Sequence, residues 1–183
     1  LMILKLLSCR RLVMLEIRQE KPKDYEEVYN VVKTAFATAE HSDGNEQDLV
    51  AKLRKSNNFI PELSLVAIQD NKVVGYILFT KIKVGKYKEL ALAPLAVLPE
   101  YRRQGIGKKL INEGHRIAKK LGYHYSIVLG SEEYYPKSGY VPASQYGIKA
   151  PFEVADENFM AIELNDTNLK IFGTVEYAEE FGI

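Results

Sequence analysis

Residues 102–109, Arg-Arg-Gln-Gly-Ile-Gly-Lys-Lys, combine what a bound anion needs. Glycine lets main-chain N–H groups approach a ligand closely, and a helix beginning here presents unpaired donors and a partial positive charge. Arg102, Arg103, Lys108 and Lys109 add cationic side chains. The pattern suits a pyrophosphate; a plain glycine turn beside solvated basic residues is the bland alternative. A P-loop is excluded because neither Ser nor Thr follows Lys108. A dinucleotide fingerprint fits poorly as well. Leu110 stands where its third glycine belongs, several strands precede the loop, and no acidic residue lies about 20 positions on to hold a ribose.

Other chemistries are narrowed by composition. The chain has 183 residues, 46% hydrophobic and 27% charged, enough for a buried core. Lys and Arg number 25 against 24 Asp and Glu, a net charge of +1, so a domain-wide nucleic-acid face is not expected. A single cysteine, Cys9, excludes an intramolecular disulfide and a Cys-rich zinc site, and His41, His115 and His124 lack metal-ligand spacing. No metal is expected, and a reducing, cytoplasmic setting is. No apolar run approaches the roughly 20 residues of a membrane span. Lys5 interrupts the apolar start of the chain and Arg10 and Arg11 follow it, which argues against a secretory signal. Residues 1–13 are therefore read as an N-terminal extension and 14–183 as one domain.

The elements that must position the basic loop follow from periodicity. Leu15 to Gln19 alternates as a strand. Asp24 with Glu27 is a capping-box signature opening an amphipathic helix that carries Tyr25, Val28, Val32, Ala35 and Phe36. An acidic stretch, Glu40, Asp43, Glu46 and Asp48, leads into a second helix with Leu49, Val50 and Leu53, ending near Lys55. Residues 63–69 and 73–80 read as a hairpin turning at Asp70-Asn71-Lys72. A third run, 89–98, contains Pro94, which cannot donate to a ladder and so demands a bulge or an edge. Residues 105–121 give the strongest helix, with His115 on its polar side. A strand follows at Tyr125 to Leu129, then a turn of helix within 131–137, strands near 146–149 and 159–164, and a loosely organised tail from Asn165. The class is mixed α/β (α+β): a mostly antiparallel sheet with one parallel crossover over 89–129.

In that setting the loop resembles the signature of the GNAT superfamily of N-acetyltransferases, Arg/Gln-x-x-Gly-x-Gly/Ala after a bulged strand. Leu95-Ala96-Val97-Leu98-Pro99-Glu100-Tyr101-Arg102-Arg103 is similar to the family's approach to it. Tyr134-Tyr135-Pro136-Lys137-Ser138-Gly139-Tyr140 is similar to its Tyr-x-x-x-Gly-Phe/Tyr segment. The resemblance spans about 15–164, and 43–50 and 151–154 are similar to a subgroup of bacterial predicted N-acetyltransferases. It implies a central parallel strand pair that splays apart, flanking helices, and acetyl-coenzyme A as cosubstrate.

The resemblance also implies roles. Leu95, Ala96 and Val97 would lie along the pantetheine, with the main chain of Leu95 and Val97 pairing to it. The N–H groups of Arg103, Gln104, Gly105, Ile106, Gly107 and Lys108 would hold the pyrophosphate. Arg102, Arg103, Lys108 or Lys109 could reach the adenosine phosphate. Tyr135 takes the general acid's position, with Tyr134 its adjacent rival. The family's usual asparagine after the strand at 125–129 is replaced by Gly130 and Ser131, and Pro136 restricts Tyr135 to extended dihedrals. Glu40, His41, Glu46 and Glu89 are candidate bases by type, and the acidic stretch could attract a cationic amine. The implied activity is direct acetyl transfer to a primary amine of a small molecule or protein, in a ternary complex, by a monomer or homodimer. Neither a nucleic acid nor a membrane is an expected partner. A non-catalytic acyl-coenzyme A sensor and a nucleotide-binding module are the rival classes.

Overall fold

The computed structural model describes residues 14–39 and 42–183. The N-terminal extension, Cys9, Glu40 and His41 lie outside the described residues. The strands are β1 (Leu15–Gln19), β2 (Phe59–Gln69), β3 (Lys72–Val84), β4 (Tyr87–Val97), β5 (Tyr125–Leu129), β6 (Val141–Pro142), β7 (Ile148–Lys149), β8 (Phe159–Glu163) and β9 (Gly173–Glu176). The α-helices are α1 (Tyr25–Phe36), α2 (Glu46–Leu53) and α3 (Ile106–Lys120). The main sheet runs β1-β2-β3-β4-β5-β8-β6, and β9 joins β3 to β7. Neighbours in it are antiparallel except β4 and β5, the pair linked through α3.

Alternation along β3 divides the core. Ile77 and Phe79 pack toward α3 with Leu110, Ile111 and Ala118. Tyr76 and Leu78 pack toward α1 and α2 with Val28, Val32, Val50 and Leu53. Further along this second face, Ile82 and Val84 meet Ile127, Phe159, Ile171 and Val175. α3 sits close to the sheet because two glycines make room. A Cβ on Gly75 would lie 3.2 Å from Ile106 and Leu110, and one on Gly114 would overlap the Phe79 ring.

Pro94 is met by a bulge. Ile77 faces Leu95 but Phe79 faces Leu92, so one residue of β3 opposes both Ala93 and Pro94. The extra residue reverses the parity of β4. Leu90 and Leu92 point toward α3 before it, whereas Ala96 and Leu98 point toward α1 and α2 after it.

Three details depart from the sequence reading. The capping box does not form: the Asp24 carboxylate accepts from Arg18 at 2.7 and 3.0 Å and from the Lys21 N–H, while Glu27 accepts from the Val73 N–H at 3.0 Å. Both side chains tie α1 to the sheet. Tyr146 lies in a short 3-10 turn, not a strand. The tail is organised: β9 pairs with β3 through Lys83 and Val84 and with β7 through Ile148 and Lys149.

Candidate active site

The functional geometry begins where β4 and β5 part. They pair only through Leu90 with Ser126 and Ala91 with Ile127. Past that point β4 bulges at Pro94 while β5 turns away at Gly130. The opening is a cleft of about 870 Å³ lined by Leu92, Pro94, Leu95, Leu129, Tyr135 and Glu46, among others. The β4 register decides which peptide groups face it. The Leu98 N–H donates to the Val74 carbonyl at 2.9 Å, which marks a hydrogen-bonded antiparallel pair. Two residues back, Ala96 opposite Tyr76 has the same character, and its side chain is buried under the α1–α2 face. Leu95 and Val97 form the intervening pairs, so their N–H and carbonyl groups point away from β3, toward the opening.

Leu95 in the cleft wall lies beside the basic loop, where a Cβ on Gly107 would be 3.7 Å from its side chain. Arg103 and Gly105 adopt left-handed backbone, φ 61° and 79°, on either side of Gln104. The N–H groups of Arg103, Gln104 and Gly105 have no acceptor among the described residues. Those of Ile106, Gly107 and Lys108 open α3 and have no carbonyl four residues back within it. Six consecutive donors thus converge at a helix start, a suitable seat for a doubly charged anion. Arg102 bonds two main-chain carbonyls. Its Nη2 donates to the Ala35 carbonyl at 2.8 Å and its Nε to the Val97 carbonyl at 3.3 Å, pinning the end of α1 to the end of β4. Its Nη1 has no partner among the described residues and the side chain is exposed.

The two tyrosines separate by location. The Tyr135 ring lies on Gly130, where any Cβ would overlap it, and Tyr135 lines the cleft. Tyr134 turns the other way, its hydroxyl against Gly107 in the first turn of α3. Gly130 itself is fully engaged: its N–H donates to the Asn158 carbonyl at 2.9 Å and its carbonyl accepts from Asn158 Nδ2 at 3.1 Å. Burial pushes the Tyr135 phenol up from its ordinary value, which keeps it protonated at any working pH. Its ring is held edge-on by Tyr140 at 5.7 Å and by Tyr134 at 5.2 Å. Tyr140, 1% exposed, is fixed in turn by His115 Nε2 at 2.9 Å and Ser126 Oγ at 2.8 Å. His115 is therefore not on a polar face. It is 8% exposed, and desolvation followed by the charge of Lys119 lowers it to about 4, so it is neutral near pH 7. The sequence signal for this support was present in Tyr140 and the histidine, but nothing short of the fold joins them.

A second cavity, about 1180 Å³, opens on the α2 face of the same gap, between α2 and the residues after β9. Glu46, Leu49, Leu92, Ala93 and Leu129 line both cavities, so the two meet across the parted strands. Of the two candidate bases among the described residues, Glu46 and Glu89, Glu46 stands at that junction. Glu89 does not: it is buried behind the pair, its Oε2 accepting the His124 and Tyr125 N–H groups at 2.9 Å each, and burial raises it. Its role is to anchor the start of β5. Among the described residues there is no cluster of three or more His, Cys, Asp or Glu arranged for a metal, and no helix long and apolar enough to cross a membrane.

A splayed parallel pair, a loop of free amides opening α3 and a tyrosine in the cleft define an acyl-transfer fold of known class. The chain belongs to the Acetyltransferase (GNAT) family, whose pattern matches residues 25–140. It is 39% identical over 118 residues to YjhQ of Escherichia coli, described as an uncharacterized N-acetyltransferase, and that match covers 62% of this chain and 65% of YjhQ. It is 31% identical to a second such protein, E. coli YhbS, over 90% of this chain and 97% of YhbS. The crystal structure of YhbS in complex with CoA superposes with a TM-score of 0.84 over 93% of both chains. That of a GNAT family acetyltransferase from Brucella melitensis in complex with acetyl-CoA gives 0.76 at 29% identity, over 92% of this chain and 98% of that one.

Proposed function

We propose that the protein is an acetyl-CoA-dependent N-acetyltransferase acting on a primary amine in a ternary complex. The observation that carries this reading is the meeting of the two cavities at the parted strands, with Glu46 at the junction, in a chain whose α3 opens on six amides without a partner among the described residues. Residues 14–183 are the catalytic unit.

Acetyl-CoA supplies the activated acyl group. The amides from Arg103 to Lys108 hydrogen-bond its pyrophosphate, Arg102, Arg103, Lys108 or Lys109 reaches the adenosine phosphate, and the outward peptide groups of Leu95 with the N–H of Val97 pair with the pantetheine as a strand would. Gly107 keeps the first turn of α3 open to the phosphates and to the Tyr134 hydroxyl. Gly130, with both peptide groups taken by Asn158, offers the pantetheine nothing. In the transfer a C–N bond forms as the C–S bond breaks. The acceptor enters as an ammonium and loses one proton to solvent to become the neutral nucleophile; as the C–N bond forms it gives up a second to Glu46, directly or through water, while the departing sulfur takes one from Tyr135, which is reprotonated from solvent. A phenol is a weaker acid than a thiol, with reference values of about 10 and about 8.5. Holding Tyr135 beside the sulfur must offset that difference, which is the physical use of its packing on Gly130 and Tyr140.

The test is thermal unfolding with acetyl-CoA, CoA, ATP and NAD, followed by thiol release with a panel of amines. A ligand at 100 times its Kd stabilises by about 2.7 kcal/mol, a shift of roughly 5 to 10 °C at this size. Shifts with both CoA forms only, with amine-dependent thiol release, support the enzyme. Binding without release from any amine favours a sensor, and a shift with ATP or NAD instead favours a nucleotide module.

A further inference from the structure

We infer that the acetyl acceptor is a primary amine carried on an aromatic or branched apolar body and lacking a carboxylate of its own, with Glu46 seating its ammonium group. This rests on the acyl-transfer reading above and goes beyond it in naming the acceptor's chemistry.

The second cavity has three properties that fix this class. Its far wall is aromatic: Phe152 and Tyr177 stack at 6.4 Å and 25°, and Phe181 closes on Tyr177 at 5.3 Å. The rings come from two separate stretches of the C-terminal region, and Phe181 packs against the cluster that holds Val50 and Leu53 of α2. Its polar groups are mostly acidic: four carboxylates, Asp43, Glu46, Asp48 and Glu180, stand against Lys52 and Lys55. A substrate carboxylate would be repelled there, whereas an ammonium group would be drawn in. Finally, one oxygen each of Glu46 and Glu180 is shut off from solvent and has no hydrogen-bond partner among the described residues. An unpaired carboxylate oxygen is costly to bury, and a cationic ligand turning that side chain toward itself would relieve the cost. Asp48, by contrast, already accepts from the Tyr29 hydroxyl at 3.0 Å. Among the described residues Glu46 is the one ionisable residue lining both cavities, so an ammonium held by it points its nitrogen at the donor cleft while the body rests on the aromatic wall.

The decisive experiment compares phenethylamine, phenylalanine and putrescine as acceptors for the full-length protein at saturating acetyl-CoA, by thiol release. Phenylalanine adds only a carboxylate to the first, and putrescine lacks the ring. The expected result is a kcat/KM for phenethylamine at least about tenfold above either, the scale on which a pocket separates ligands by an apolar group. Phe181→Ala should raise KM for phenethylamine about tenfold and leave KM for acetyl-CoA unchanged; Phe181→Leu should restore most of it. Glu46→Gln should lower kcat/KM for phenethylamine at least tenfold with the same acetyl-CoA thermal shift. If putrescine or phenylalanine reacts as well as phenethylamine, or if other amines react and phenethylamine does not, the inference is overturned while acetyl transfer stands. If acetyl-CoA produces neither a thermal shift nor thiol release with any amine, both readings fall together.

Discussion

Gly130→Ala tests the chemistry through a single methyl group. Gly130 is not in the left-handed region, so alanine meets no backbone penalty there, and both its peptide groups can remain bonded to Asn158. The new Cβ would overlap the Tyr135 ring edge and lie 2.9 Å from Cδ2 and 3.4 Å from Cζ. Ordinary carbon contacts need about 3.5 to 4.0 Å, so the ring must retreat by on the order of 1 Å. A misplacement of that size at a reacting group costs about 10²-fold in rate. The prediction is a kcat reduced about 100-fold, with KM for acetyl-CoA changed less than about twofold because none of the cofactor-facing amides moves. Stopped assays of thiol release on the single variants and on Gly130→Ala combined with Tyr135→Phe would separate the causes. If Tyr135 is the proton donor, the alanine adds little in the phenylalanine background, since the hydroxyl it displaces is already gone. An unchanged kcat for Gly130→Ala, or a full 100-fold loss that persists on top of Tyr135→Phe, would refute the assignment.

Other expectations concern the frame around the site. His115 is held at about 4 when folded against an ordinary 6.5, so its contribution is complete above pH 6.5 and is lost as pH falls toward 4. The size is about 3 kcal/mol, and urea melts across that range should show His115→Gln losing this part of the acid sensitivity; identical slopes would count against it. Arg54 forms a buried ion pair with Glu20, which also accepts from Ser64 Oγ at 2.7 Å, the two side chains being 10% and 2% exposed. Arg54→Ala strands that carboxylate and should cost about 3 to 5 kcal/mol, seen as a fall in Tm of roughly 6 to 20 °C. Gly105→Ala forces a side chain into left-handed backbone at φ 79° and should cost about 1 kcal/mol, with weaker acetyl-CoA binding in calorimetry. A chain beginning at Met14 should keep the Tm and the acetyl-CoA shift of the full one.

The loop at 102–108 was legible because each of its features is local: glycines, a helix start and charge. The strand, helix and strand around it were legible for the same reason, since periodicity needs no partner. What escaped depended on distant residues. The bond from Arg102 to the Ala35 carbonyl joins residues 67 apart in the chain. His115 occupies a position whose neighbours Lys119 and Arg116 advertise solvent, yet Tyr140, 25 residues on, supplies its bond. The tail from Asn165 carries few apolar residues in any regular period, and its four-residue strand finds a ladder only against the end of β3 and against β7. Glu46 and Glu89, alike in type, are told apart only by the fold, which sets the first where the two cavities meet and buries the second behind β5.

The parted strands have a kinetic consequence. The donor cleft and the second cavity share Glu46, Leu49, Leu92, Ala93 and Leu129 as walls among the described residues. If acetyl-CoA fills the first and the amine the second, as proposed above, the two substrates press on the same side chains, so occupancy of one cavity should change the affinity of the other. Product-inhibition patterns would then show cross-terms between the acetylated amine and acetyl-CoA, and purely parallel competition would count against the shared wall.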